Sequence, residues 1–78
     1  MKPVRYDRHA RRRMKERGVK EEEAEMALRE PEYTAPSVKE RINAFKFMGN
    51  RYLRVTFKEE SDHFLVITVT IRKKPFKR

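Results

Sequence analysis

The sequence predicts a single α+β domain in which two N-terminal helices pack on a three- to four-stranded antiparallel sheet. The apolar residues before Pro31 recur at helical spacing, whereas those after it alternate as they do in strands. The chain of 78 residues contains no internal repeat and no linker-like segment. We therefore expect one domain that spans residues 1–78, with a basic tail from about residue 72.

Both helices are predicted from their end signals and their apolar positions. Asp7 is expected to cap the first helix, because its carboxylate can accept hydrogen bonds from the free amides of the first turn. Gly18 stands where a left-handed residue ends a helix. The second helix runs from about Glu21 to Arg29 and stops before Pro31. The predicted inward-facing residues are Ala10, Met14, Ala24, Ala27 and Leu28.

The strands are predicted from alternation and turn residues. We expect them at Arg41 to Met48, Arg51 to Lys58 and His63 to about Arg72. Gly49-Asn50 is typical of a tight hairpin turn between the first two. A further strand around Tyr33 to Val38 would be confined to an edge by Pro36.

The last strand is expected to divide its residues between a buried face and an open face. Strict alternation predicts one apolar face with Leu65, Ile67, Val69 and Ile71. The opposite face would carry Phe64, Val66, Thr68 and Thr70. One face of the sheet would then pack on the helices, while the other stays half polar and open.

The charge is unevenly distributed along the chain. The net charge is +9, and the first 20 residues carry nine Lys and Arg against two acids. Residues 21–32 contain six glutamates and one arginine, whereas the last seven residues contain five cations. Neutralising phosphates supplies most sequence-independent affinity for nucleic acids, so a polyanion partner is predicted. The alternative is a charged, solvated surface that has no partner.

Composition also excludes several classes of protein. The chain has no cysteine, which excludes disulfides and zinc-thiolate sites. It has no apolar segment of membrane-spanning length, no metal-ligand spacing and no glycine-rich phosphate loop. We therefore expect a cytoplasmic protein without a metal, a cofactor or a membrane contact.

One stretch points to chemistry. In a helix, His9, Arg13 and Arg17 recur every four residues and share a face. This places a proton-transfer group beside two permanent cations, a combination suited to handling a phosphodiester.

The motif His9-Ala10-x-x-Arg13-Met14-x-x-Arg17-Gly18 resembles that of a widespread small bacterial domain family of unassigned function. A glutamate-rich second helix and the segments 49–55 and 66–70 extend the resemblance over roughly residues 6–71. That family is similar to RelE/ParE-like toxins and to the barnase–EndoU–colicin–RelE group of metal-independent ribonucleases. The resemblance implies a RelE-like fold and a toxin-like endoribonuclease that acts on RNA, including mRNA at the ribosome.

Cleavage of RNA without a metal needs a base, an acid and cations near the phosphate. His9 suits the proton transfer, Arg13 and Arg17 suit the phosphate, and Thr68 could bind a phosphate or orient His9. These four form the predicted catalytic set. The further nucleic-acid contacts predicted from the sequence are Arg11, Arg12, Arg51, Arg54, Thr70, Lys73 and Lys74.

The same residues could instead have structural roles. His9 could simply bond to a neighbouring group at the start of the helix, and threonine is common in strands. Arg13 or Arg17 could pair with the acidic second helix, at Glu21 to Glu25. The alternative functions are a non-catalytic RNA- or ribosome-binding module and an interaction domain for an acidic, antitoxin-like partner. Either a monomer or a homodimer is compatible with the sequence.

Overall fold

The computed structural model describes residues 2–76, which form two α-helices and one five-stranded mixed sheet. The elements in chain order are β1 (Val4–Tyr6), α1 (Arg8–Arg17), α2 (Glu21–Arg29), β2 (Tyr33–Pro36), a 3-10 turn (Val38–Glu40), β3 (Ile42–Met48), β4 (Arg51–Glu59) and β5 (Phe64–Arg72). The spatial order of the strands is β1-β5-β4-β3-β2. No helix within residues 2–76 is long and apolar enough to cross a membrane.

The predicted sheet of three to four antiparallel strands is wrong, because β1 adds a fifth strand parallel to β5. Val4 pairs with Phe64 and Tyr6 with Val66. The amide of Asp7 continues this pairing by donating to the carbonyl of Val66 at 3.1 Å. Three residues are too few to show an alternation in the sequence, so only the contact with β5 reveals this strand.

The helices have the predicted bounds and caps. The Asp7 carboxylate accepts a hydrogen bond of 2.7 Å from the amide of Ala10, which satisfies one free donor of the first turn. Gly18 ends α1 with φ = 66°, a conformation that glycine adopts without steric cost. At the start of α2, the amide of Lys20 donates to the Glu23 carboxylate at 2.9 Å. The inward-facing residues named from the sequence are all buried.

The strand that begins at Tyr33 and the β3–β4 hairpin are also confirmed. Gly49 and Asn50 both have positive φ, 61° and 69°, as the two central residues of a type I′ turn require. β2 forms an edge of the sheet and ends at Pro36, where the missing amide does not interrupt pairing.

The predicted division of β5 into two faces is wrong in its first half. Thr56 pairs with Thr68 but Phe57 pairs with Val66, so Ile67 is an extra residue in the ladder. This bulge reverses the alternation, and Val66 joins Val69 and Ile71 on the helix side. Thr68 and Thr70 keep their predicted place on the face away from the helices.

The core lies between the two helices and one face of the sheet. Its buried members are Ala10, Met14, Val19, Ala24, Ala27, Leu28, Ala44, Leu53, Val55, Phe57, Val66 and Val69. The opposite face is not fully open, because the segment after β5 folds back and buries Phe76 against Phe45. The sheet therefore lies between α1, which packs on one face, and the polar residues of β5, which lie on the other face.

Candidate nucleic-acid interface

The outer surface of α1 is strongly basic, because the helix buries only Ala10 and Met14. Its ten residues include six cations and a single acid, Glu16. His9 is exposed, and Arg13 Nε donates a hydrogen bond of 3.5 Å to its Nε2 atom. Arg13 Nη1 also lies 3.9 Å from the Glu16 carboxylate. The structure thus brings His9 and Arg13 together, as the four-residue spacing predicts.

A shallow depression on this surface is lined by Arg8, His9 and Arg12. All three residues are exposed, and neither arginine pairs with an acid among residues 2–76. Arg8 and Arg12 are four positions apart on the helix, where like charges repel each other. An anion bound in the depression would relieve this repulsion.

Arg17 is exposed, and within residues 2–76 its side chain makes no ion pair with α2. Arg11 makes that contact instead, through a 2.7 Å bond from Nη1 to the Glu21 carboxylate. Its guanidinium also lies 5.2 Å from the centre of the Tyr6 ring. Arg11, predicted to contact nucleic acid, is therefore engaged within the protein, while Arg17 stays accessible.

The Tyr6 hydroxyl, like Arg11, contacts Glu21 at the start of α2. It donates to the carbonyl of Glu21 at 3.3 Å. Burial, reinforced by the nearby Glu25 and Glu21 carboxylates, raises the pKa of Tyr6 to about 12. The phenol is thus neutral at physiological pH and holds the start of α2 against β1.

Arg51 has a structural position that the sequence did not reveal. Its guanidinium donates to the carbonyls of Arg17 and Gly18 at 3.1 and 2.9 Å, and to Glu23 Oε1 at 2.9 Å. The pKa of Glu23 is lowered, first by the hydrogen bond from the Lys20 amide and then by Arg51. Arg51 thus joins the end of α1, the start of α2 and β4, and its donors are directed into the protein.

Thr68 does not join His9. Thr68 is paired with Thr56, whose hydroxyl donates to Asn43 Oδ1 on the sheet face away from the helices. Thr70 lies on that same face, where its hydroxyl accepts a 3.3 Å bond from Arg54 Nη2. Because the sheet separates the two surfaces, the predicted catalytic set of His9, Arg13, Arg17 and Thr68 is not assembled at one place.

The start of the basic tail contributes charge and one aromatic ring. Lys73 and Lys74 are exposed, whereas Phe76 is buried beside Arg54 and Arg72. The last two cations of the predicted tail, Lys77 and Arg78, lie outside the described residues. The sequence did contain one signal for the burial of Phe76, because it is the one aromatic residue within a run of cations.

Within residues 2–76, no group of three or more His, Asp or Glu residues is placed to hold a metal ion. The candidate interface is built from arginine, lysine and imidazole groups, whose N–H donors suit phosphate oxygens.

Comparison with known proteins places the chain in a family. A family model described as a domain of unknown function, DUF4258, matches residues 6–71. No curated protein and no solved structure matches the chain. The likeness to RelE/ParE-like toxins thus stays a prediction. Because the matched segment begins in β1, contains both helices and extends into β5, the chain belongs to the DUF4258 family of domains of unknown function.

Proposed function

We propose that this protein is an RNA-binding module whose main contact is the outer surface of α1. This α1 surface comprises Arg8, His9, Arg12, Arg13, Lys15 and Arg17. The observation that carries the proposal is the absence, among residues 2–76, of acidic partners for Arg8, Arg12, Lys15 and Arg17, although α2 contains four glutamates. Phosphates of a polyanion are the natural partners for such a surface.

The acidic helix also limits how a polyanion can approach. Glu21 and Glu23 are neutralised by Arg11 and Arg51, whereas Glu22 is exposed and makes no ion pair within residues 2–76. The α2 side therefore repels phosphates while the α1 side attracts them. Such a charge asymmetry orients a nucleic acid before contact is made.

The proposed preference for RNA rests on the resemblance of the motif to RelE/ParE-like toxins. A ribosome-bound RNA is included in this proposal, because the same resemblance implies action on mRNA at the ribosome. Binding rather than cleavage is favoured, because the sheet separates Thr68 from His9.

Metal-independent cleavage is a second candidate, supported by the contact between His9 and Arg13. An exposed imidazole beside a guanidinium can transfer a proton next to a neutralised phosphate. An endoribonuclease of this kind would need a second proton-transfer group besides His9, and it would need its phosphate contacts from residues other than Thr68. An acidic, antitoxin-like protein would compete with RNA for the same α1 surface.

The test compares RNA affinity and its salt dependence in matched charge reversals. Arg12→Glu should weaken binding. It should also make the negative slope of log K against log salt less steep, by about 0.7 per lost phosphate contact. Lys39→Glu makes the same change in net charge at an exposed loop and should have little effect. Equal weakening in both variants, or no binding of wild type at low salt, would contradict the proposal.

Cleavage is tested separately in the presence of EDTA, with and without ribosomes. Wild type and His9→Ala are compared for both turnover and RNA affinity. A pure binding module should cut neither substrate, and His9→Ala should keep most of the affinity. Cleavage that disappears in His9→Ala would establish the second candidate instead.

A further inference from the structure

A site that holds an aromatic ring lies on the sheet face away from the helices. The side chain of Phe76 occupies a space between Phe45, Arg54 and Arg72, which we call the ring slot. Its ring centre is 5.4 Å from that of Phe45, in an edge-to-face arrangement. The Arg54 and Arg72 guanidinium carbons lie 5.2 and 4.7 Å from the same centre. An aromatic group is thus held by one ring and two cations.

Most of the slot is supported by contacts that do not involve Phe76. Phe45 stacks on Tyr33 with 4.4 Å between ring centres and an angle of 10° between the planes. Arg54 is held by the Thr70 hydroxyl at 3.3 Å. These walls should therefore persist when the ring of Phe76 leaves.

The segment that delivers the ring is held to the sheet mainly by one buried side chain. Of residues 73–76, only Phe76 is buried, while Lys73, Lys74 and Pro75 are exposed. Release of the segment therefore breaks the contacts of one side chain. Contacts between an aromatic ring and a cation are individually weak, so another aromatic group can compete for the slot.

One wall residue of the slot, Arg54, has a hydrogen-bond donor without a partner within residues 2–76. Arg54 Nε is buried and has no hydrogen-bond partner among the described residues. A buried donor without an acceptor is costly, and a phenyl ring offers no lone pair in the ring plane. A nucleobase has a similar flat π face but carries carbonyl and ring-nitrogen acceptors along its edge.

We propose that the ring slot binds a base of single-stranded RNA and that Phe76 occupies it until RNA displaces the ring. Bases commonly stack on aromatic side chains and arginine planes on sheet surfaces. Lys73 and Lys74 are exposed in the segment that leads to Phe76 and supply positive charge for the phosphates of the bound strand. This inference rests on the proposed RNA binding, but it concerns a surface separate from α1.

The chain contains no tryptophan, so Phe76→Trp introduces a single fluorescent reporter at the slot. Adding a short oligouridine should shift the indole emission to the red, as the ring moves into water. Inorganic polyphosphate is the matched control, because it carries phosphates without bases. It should compete with RNA for the α1 surface and leave the emission unchanged. An equal shift with polyphosphate would overturn the base-specific slot.

Phe76→Ala provides a second measurement that needs no reporter. Removing the competing ring should tighten oligouridine binding about tenfold and leave polyphosphate affinity unchanged. Val38→Ala removes an apolar side chain that is 70% exposed elsewhere on the molecule and should change neither affinity. If the indole of Phe76→Trp is already exposed without RNA, the affinities of Phe76→Ala decide the matter alone.

The outcomes separate the slot from the α1 surface. RNA binding that is weakened by Arg12→Glu, without tightening in Phe76→Ala, overturns the ring slot and leaves the proposed function intact. Failure of wild type and of Phe76→Ala to bind RNA at low salt overturns both. Tightening in Phe76→Ala that Phe45→Leu reverses supports the slot.

Discussion

Replacing Arg51 with alanine should destabilise the fold while leaving the α1 surface unchanged. Arg51 was predicted from the sequence to contact nucleic acid, but its guanidinium binds two backbone carbonyls and the Glu23 carboxylate. The carbonyls of Arg17 and Gly18 belong to the end of α1, where the helix leaves its acceptors unpaired. Truncation therefore exposes a helix end and leaves the Glu23 carboxylate without its ion-pair partner.

The size of the effect follows from the partial burial of this cluster. The Arg51 and Glu23 side chains are 23% and 24% exposed. Because water can replace part of what is lost, we assign about 1 kcal/mol to the two carbonyl bonds and about 1 kcal/mol to the ion pair. For a domain of this size, the resulting loss of about 2 kcal/mol lowers the melting temperature by roughly 8–16 °C.

Urea and thermal unfolding of Arg51→Ala measure this loss, and Arg12→Ala is the matched control. Arg12 is exposed and unpaired within residues 2–76, so its truncation should change the unfolding free energy by less than ~0.5 kcal/mol. Glu23→Gln should cost ~1 kcal/mol less in the Arg51→Ala background than in wild type. Equal unfolding free energies for Arg51→Ala and Arg12→Ala would refute the structural role of Arg51.

Two further predictions concern the helix ends and acid stability. Asp7→Ala removes the acceptor of the 2.7 Å bond from Ala10 and should cost ~1 kcal/mol in urea unfolding, whereas Asp7→Asn should retain most of it. The lowered pKa of Glu23, caused first by the Lys20 amide and then by Arg51, means that the unfolded state binds more protons in acid. Its stabilisation is complete above the ordinary carboxyl pKa of ~4.3 and disappears as the pH falls through the lower folded value. Urea titrations at decreasing pH should show this loss, and it should be smaller in Arg51→Ala.

The elements that could be predicted are those whose end signals and apolar pattern lie within one local segment of the sequence. α1 carries the capping residue Asp7 and the end signal Gly18, and α2 carries first-turn glutamates and the stop signal Pro31. Each helix also has a helical apolar period within its own segment. The β3–β4 hairpin likewise contains its turn residues. In each case the local preference agrees with the packing, so the sequence alone locates the element.

The remaining features depend on contacts between distant segments. β1 consists of three residues and forms because β5 offers a free edge. The bulge at Ile67 cannot be read from an unbroken apolar run, yet it determines which side of the sheet Val66 faces. Within α1, the arginine that pairs with α2 is Arg11, and not Arg13 or Arg17 as considered from the sequence. Helical spacing identifies residues that share a face, but it does not identify the element that packs opposite that face.

The position of the sheet is the reason that we propose binding and not cleavage. Proton transfer requires the acid, the base and the phosphate to meet at one phosphodiester, within hydrogen-bond reach. His9 supplies one proton-transfer group, whereas Thr68, predicted to bind the phosphate or to orient His9, lies on the other side of the sheet and reaches neither. A binding protein has no such constraint, because an RNA strand presents many phosphates and bases along its length. The α1 surface would then account for the salt-dependent part of the affinity, and the ring slot for the part that depends on bases.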